Sequence, residues 1–360
     1  MSWVLAFVGF ALLVILHELG HFAVAKAVGM RVEKFSLFFP PTLVSKTVGE
    51  TEYAIGAIPA GGYVKISGMN PDEELPEEVR DRAYHAQPVW KRIAVILAGP
   101  AVNLVLALVL LLVFWGAIGQ ETATDRVGTI EKDYPAAKLL VPGDKLLEVD
   151  GVTGDPEKLS ETIQKHRCEG EPTDGCRASS PAKLVIERHG ERRTFSVTPV
   201  YDDAPEIERT RIGFGYAPGP REPLPAGEAV STAFEQFWYI TKQSVSLPAR
   251  IFNTEQRKEI SGIVGSYEVT RQTILNDVAE VVLIMALISL SLAIVNLFPF
   301  LPLDGGHIFW AVVEKVRGKP VPLRVMERSG VVGFMLVIGL FLIGLSNDIG
   351  RLTGEGFTPP

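Results

Sequence analysis

The 360-residue sequence predicts a polytopic α-helical membrane protein with four transmembrane helices, a membrane-associated β-hairpin and one extracytoplasmic α+β domain. Three observations predict it. Hydrophobic residues, 47% of the chain, gather in four stretches, and a helix crossing the hydrocarbon core needs about 20 mainly apolar residues. Lys and Arg crowd two of the connections between stretches and nearly vanish from the two ends, the asymmetry that sets membrane orientation. One long polar segment separates the second and third stretches, with short alternating runs between Gly and charged turns, as strands require. The net charge of −7 supplies no basic footprint, which excludes nucleic acid as an expected partner.

Taken in order, residues 1–30 form the first span. Its start, Met1-Ser2-Trp3, has no positive charge and no small-x-small cleavage site follows, so the segment is expected to remain rather than be removed as a signal peptide. Residues 31–91 form a cytoplasmic loop. In it Ala54-Ile55-Gly56-Ala57-Ile58 and Tyr63-Val64-Lys65-Ile66 flank Pro59-Ala60-Gly61-Gly62, which reads as a hairpin with glycines at its turn. Residues 92–118 are the second span and 119–200 the α+β domain, where Leu184-Val185-Ile186 and Phe195-Ser196-Val197 read as strands.

Residues 201–276 read as a Pro-rich linker followed by an amphipathic helix. Val230, Ala233, Phe234, Phe237 and Trp238 recur at helical spacing, and Pro248 marks the end. That stripe suits either the outer membrane face or the flank of the preceding domain. Residues 277–304 form the third span, 305–328 a cytoplasmic loop, 329–346 the fourth span and 347–360 a tail. Lys26, Arg31, Lys34, Lys91 and Arg92 bracket the first loop. Lys315, Arg317, Lys319, Arg324 and Arg328 fill the second. Both termini and the α+β domain should therefore face outward. Cys168 and Cys176 lie in that outer segment, where they form either a disulfide or two unpaired surface thiols.

The chemistry-bearing motif is His17-Glu18-Leu19-Gly20-His21. On a helix, positions i and i+4 share a face. Two imidazoles so placed can bind one zinc ion, with the intervening carboxylate beside the reacting water. Ionisable groups inside an apolar span cost several kcal/mol, about 2.5–3.5 on insertion scales, unless pairing or function offsets them. A catalytic zinc takes three protein ligands. Asp304 is the candidate third ligand, because the inner ends of the first and third spans reach the same depth by the charge-derived topology.

Pro142-Gly143-Asp144-Lys145-Leu146-Leu147-Glu148-Val149-Asp150-Gly151 resembles the turn–strand–turn signature of PDZ domains. The resemblance implies a groove for peptide C-termini added as a β-strand. H-E-L-G-H in the first span, Asn296-x-x-Pro299 ahead of Leu303-Asp304-Gly305, and a PDZ-like domain between spans two and three together resemble the site-2 protease family. Within it the chain is similar to bacterial regulators of extracytoplasmic stress signalling.

That resemblance implies an intramembrane zinc endopeptidase of the bacterial cytoplasmic (inner) membrane, with zinc on His17, His21 and Asp304 and Glu18 as general base. It further implies Asn296 and Pro299 beside the substrate, as well as Asn103, from Ala98-Gly99-Pro100-Ala101-Val102-Asn103. Gly61, Gly62 and Tyr63 would belong to a hairpin that clamps the substrate as an added strand. Substrates would be single-span membrane proteins such as anti-sigma factors or signal-peptide remnants.

Two elements depart from the family pattern. Phe35-Ser36-Leu37-Phe38-Phe39-Pro40-Pro41 stands where F-S-I-G-F-G-P is common, and Ser261-Gly262-Ile263-Val264-Gly265 lacks the proline of S-G-P-x-G. The competing reading is a non-catalytic membrane scaffold, with a closed four-ligand metal site and partners recruited through the PDZ-like domain. A metal-ion transporter would call for ligand pairs spread along a pathway, and the sequence offers a single cluster.

Overall fold

A computed structural model describes residues 2–58, 61–70, 73–204, 207–250, 253, 257, 262, 264–265, 267–268, 271 and 279–353. Two compact units emerge: Met1–Ala117 with Leu224–Pro360, and Ile118–Pro223.

In the first unit, α1 (Ser2–Ala27) is apolar for most of its length and carries His17, Glu18 and His21 in its second half. It ends where Gly29 adopts φ +86° and the Met30 amide donates back to Ala25 O at 2.9 Å, a glycine stop that an L side chain would strain. Four strands follow: β1 (Val32–Ser36), β2 (Phe39–Val48), β3 (Thr51–Ile58) and β4 (Tyr63–Ile66), in the sheet order β2-β3-β1-β4.

This corrects the expected hairpin. The strand 54–58 pairs antiparallel with β2 and parallel with β1, while 63–66 pairs only with β1. The hairpin turn is Gly49-Glu50, with Gly49 at φ +64°. The Pro59-Ala60 part of the expected turn lies outside the described residues. Glu50 ties this turn back to the helix: Arg82 donates to both its oxygens (2.8 and 2.7 Å) and Lys26 to one (3.0 Å). Those cations, Arg82 first, hold its carboxyl at about 2.

After α2 (Glu77–Arg80) comes α3 (Val89–Val113), which continues as a π-helical turn through Ile118. Ala25, Met30, Val32, Ile66, Tyr84, Val95 and Ile96 form one buried cluster that joins the end of α1, the sheet and α3.

The second unit is a five-stranded antiparallel sheet in the order β11-β5-β6-β7-β8. It is built from β5 (Gln120–Ile130), β6 (Lys145–Val149), β7 (Ala182–Arg188), β8 (Glu191–Val197) and β11 (Phe214–Glu222), with a ribbon of β9 (Val200–Asp202) and β10 (Arg209–Arg211). Leu146, Val149, Leu184 and Ile186 pack with Leu159 and Ile163 of α4 (Pro156–Gln164). Asp155 caps α4 by accepting from the Lys158 amide at 2.9 Å. Buried Asp144 accepts from the Val141 amide and from Arg188, which closes the Pro142-Gly143 turn. Cys168 and Cys176 are joined as a disulfide.

The expected linker after residue 200 is instead structured. β9, β10 and β11 occupy it, and β11 forms an edge of the sheet, its pairing with β5 irregular on both sides of Pro218.

The chain then returns to the first unit. α5 (Ala226–Arg250) packs against α3 and against α6 (Glu280–Asn296). Ala233 meets Leu111 and Ala286, while Ile240 meets Ala107, Leu290 and Ile294. The amphipathic helix therefore runs alongside apolar helices, with Phe234, Trp238 and Tyr239 exposed on its other face. Most of 251–278, including Ser261 and Ile263, lies outside the described residues, as does 354–360.

Among the described residues, three helices are long and apolar enough to cross a membrane: Phe7–Ala27 within α1, Val89–Ile118 and Arg324–Thr353. The expected third span over 277–304 differs. α6 stops after 17 residues at Asn296, before Pro299 and Pro302, and Asp304 opens a separate helix, α7 (Asp304–Arg317). The expected loop 305–328 is thus largely helical, and the last helix, α8 (Leu323–Thr353), is longer than the expected 329–346.

Candidate metal centre

Three chemistry-bearing side chains from the two motifs converge. His17 Nε2 lies 3.2 Å from Asp304 Oδ2, His21 Nε2 lies 3.3 Å from the same oxygen, and the two imidazole nitrogens are 3.2 Å apart. Ligands about 2.0–2.1 Å from a tetrahedral ion lie about 3.3–3.4 Å from one another, so this triangle fits three corners of such a site. Among the described residues it is the one such cluster of His, Cys, Asp and Glu.

Each corner has a local cause. His17 and His21 share one face of α1 and are 5% and 7% exposed. The His21 Nδ1–H donates to Val95 O of α3 at 2.8 Å, which leaves Nε2 free to offer its lone pair. α1 and α3 can approach this closely because of two glycines. A Cβ on Gly20 would stand 2.7 Å from Ala98 O, and one on Gly99 would stand 2.3 Å from His21 Nε2. Gly99 of the Ala98-Gly99-Pro100 element is thereby explained by packing.

Asp304 is set by the first turn of α7. There a Cβ on Gly305 would fall 2.2 Å from Leu297 O and one on Gly306 2.4 Å from the Leu301 amide. Further along, Arg92 of α3 donates to both oxygens of Glu314 (2.9 and 2.6 Å), which pins α7 to α3.

Gly99→Val is therefore expected to push the His21 imidazole out of place. Metal retained by the purified protein should fall by about tenfold or more, the range seen when ligand orientation is disturbed. Metal analysis checks this, and wild-type content would contradict it.

The triangle opens on a cavity of about 530 Å³. Glu18, Gly61, Gly62, Tyr63 and Asn296 are among the residues that line it. A Cβ on Gly62 would lie 2.8 Å from Ser36 O and 3.0 Å from Glu18 Cγ, so this bare backbone sits against the Glu18 side-chain stem. Phe39 stacks on Tyr63 at the same wall, with ring centroids 6.2 Å apart.

Two expected residues stand elsewhere. Pro299 is exposed and does not line the cavity; Pro302, after the chain has turned, does. Asn103 is fully buried behind His17, its Nδ2 3.4 Å from His17 Nδ1, so it lies on the far side of the ligand from the cavity. Conversely, His307 lines the cavity although the sequence did not single it out. Its i+3 spacing from Asp304 on α7 was the available signal.

The sequence profile of peptidase family M50 matches residues 5–340. A protein of Campylobacter jejuni is 30% identical over 95% of this chain and 92% of its own length. A protein of Nostoc sp. is 30% identical over 99% and 98%, and one of Clostridium perfringens 30% identical over 96% and 98%. All three carry the name "Putative zinc metalloprotease".

Proposed function

The chain belongs to peptidase family M50 and is a zinc metalloprotease, and from that premise we propose that it cuts single-span membrane proteins within their apolar segments. The observation that carries this reading is the triangle of His17, His21 and Asp304, drawn from α1, which is apolar enough to span a membrane, and from α7, which follows apolar α6. A water-using site beside such helices requires a pocket that water can enter, and the cavity beside His17, His21 and Asp304 is consistent with that need.

In this mechanism His17, His21 and Asp304 hold the zinc. A zinc ion bound there would supply Lewis-acid chemistry, lowering the pKa of water and polarising a carbonyl. Glu18 takes the proton of the attacking water and returns it to the leaving amine. Asn296 and Tyr63 border the space where the substrate backbone lies. Among the described residues the cluster offers three ligands, which would leave a coordination position for chemistry and so favours an enzyme over a closed four-ligand scaffold.

A transmembrane substrate must unwind before attack, and unwound backbone in lipid needs new hydrogen-bond partners. β4 is an edge strand whose residues Tyr63, Val64 and Ile66 line the cavity. The substrate is accordingly read as an added strand on β4, where Gly61 and Gly62 let its backbone approach. Replacing the amides flanking the scissile bond with esters should raise KM about tenfold and leave side-chain preference intact. An unchanged KM would remove the clamp.

The charge pattern supports an inner-membrane setting, with residues 31–91 and 305–328 cytoplasmic and both termini outside. The unit Ile118–Pro223 would then face outward and, as a PDZ-like module, take peptide C-termini and filter substrates, anti-sigma factors and signal-peptide remnants being the classes in view. Deleting 118–223 should broaden cleavage to full-length substrates. Continued refusal of such substrates would rule out the filter.

The direct test uses purified protein in detergent with a tagged single-span substrate. A zinc chelator should stop cleavage, and added zinc should restore it. Cleavage indifferent to chelation would contradict the reading.

A further inference from the structure

Asn103 occupies an unusual position for a polar side chain in an apolar helix. It is 0% exposed in the middle of α3, and its main-chain oxygen accepts from Ser289 Oγ of α6 at 2.9 Å. The carboxamide faces the back of His17, with Nδ2 3.4 Å from Nδ1, while its own Oδ1 is buried without a hydrogen-bond partner. An orphaned buried carbonyl costs about 1–3 kcal/mol, so its presence calls for a cause.

The cause follows from the other ring nitrogen. His17 Nε2 points at Asp304 Oδ2 and His21 Nε2, so its lone pair must face that centre if His17 is a ligand. A neutral imidazole carries one proton, which then sits on Nδ1 and needs an acceptor. For His21 the acceptor is Val95 O. For His17 the neighbouring group is Asn103, and a half-turn of the carboxamide exchanges its two ends without changing the side chain's shape. Oδ1 then accepts from Nδ1–H, and the orphan is resolved.

We propose that Asn103 is a positioning residue for the metal centre: its side-chain carbonyl accepts the His17 Nδ1 proton and thereby fixes the tautomer and plane of that ligand. This rests on reading His17 as a ligand. It gives the asparagine of the Ala98–Asn103 element a role in place of substrate contact.

The test is the zinc dissociation constant of the full chain, measured by chelator competition for wild type, Asn103→Leu, Asn103→Asp and His17→Ala. Leucine keeps the branched shape and removes the acceptor, and should weaken zinc binding about ten- to a hundredfold, with the metal-free form still folding cooperatively. Aspartate can only accept, and should bind zinc at least as tightly as wild type. If Asn103 instead donated through Nδ2, aspartate would lose affinity as leucine does, and that result overturns the proposal. Wild-type affinity in Asn103→Leu overturns it as well. Should the leucine variant fail to fold, the aspartate variant decides alone. His17→Ala separates the two claims: zinc retained there refutes the ligand reading, whereas zinc lost there but retained in Asn103→Leu refutes only the positioning role.

Discussion

Asp304→Ala is expected to abolish cleavage and to empty the metal centre. Asp304 Oδ2 stands 3.2–3.3 Å from both imidazole nitrogens, and it is the one anionic corner of the triangle. Without it, two neutral rings on one helix face remain, which is too few for a three-ligand catalytic site. Disturbing residues around ligands already costs about 10–100-fold in affinity, so removing a ligand should cost at least a hundredfold. Metal analysis after dialysis checks this. The fold should survive, because α7 is held by its Gly305-Gly306 packing and the Arg92–Glu314 pair rather than by Asp304. Stoichiometric zinc in the variant would exclude Asp304 as a ligand.

Glu18→Gln is expected to give the opposite pairing, with zinc retained and cleavage lost. Glu18 lies between the two histidines on α1 and lines the cavity beside Gly62, but belongs to no corner of the triangle. Glutamine preserves its size and removes its ability to take a proton. General acid–base catalysis contributes about 10²–10⁴-fold, and kcat should fall by that factor. Equal rates in the two proteins would remove Glu18 from the mechanism.

The parts of this architecture that were legible in the sequence are those with a local periodic signal. α1 and α3 are long, mainly apolar runs, and the i, i+4 spacing of His17 and His21 fixes their shared face wherever the helix goes. Asp304 was reachable by topology, although its backbone setting was not. Read as one apolar run, 277–304 looks like a single span, but the chain leaves the helix at Asn296 and Asp304 restarts it.

Strand partners were the least legible. The glycines after Ile58 suggest a local turn joining β3 to β4, yet β1 comes between them, a pairing decided by long-range burial of Val32, Ile66 and Met30 rather than by turn chemistry. Pro40 and Pro41 argue against a strand, and β2 accommodates them because it lies at the sheet edge. Asn103 and His307 were opaque in role for a similar reason, since each is defined by what another helix brings against it.

The central claim is that the zinc centre acts on bonds within a membrane. The most direct measurement reconstitutes wild type and Glu18→Gln in lipid vesicles with a tagged single-span substrate and maps the severed bond by mass spectrometry. The account predicts one cut inside the apolar segment, made by wild type and absent with Glu18→Gln. Cuts confined to the soluble flanks, or the same cut from both proteins, would contradict it.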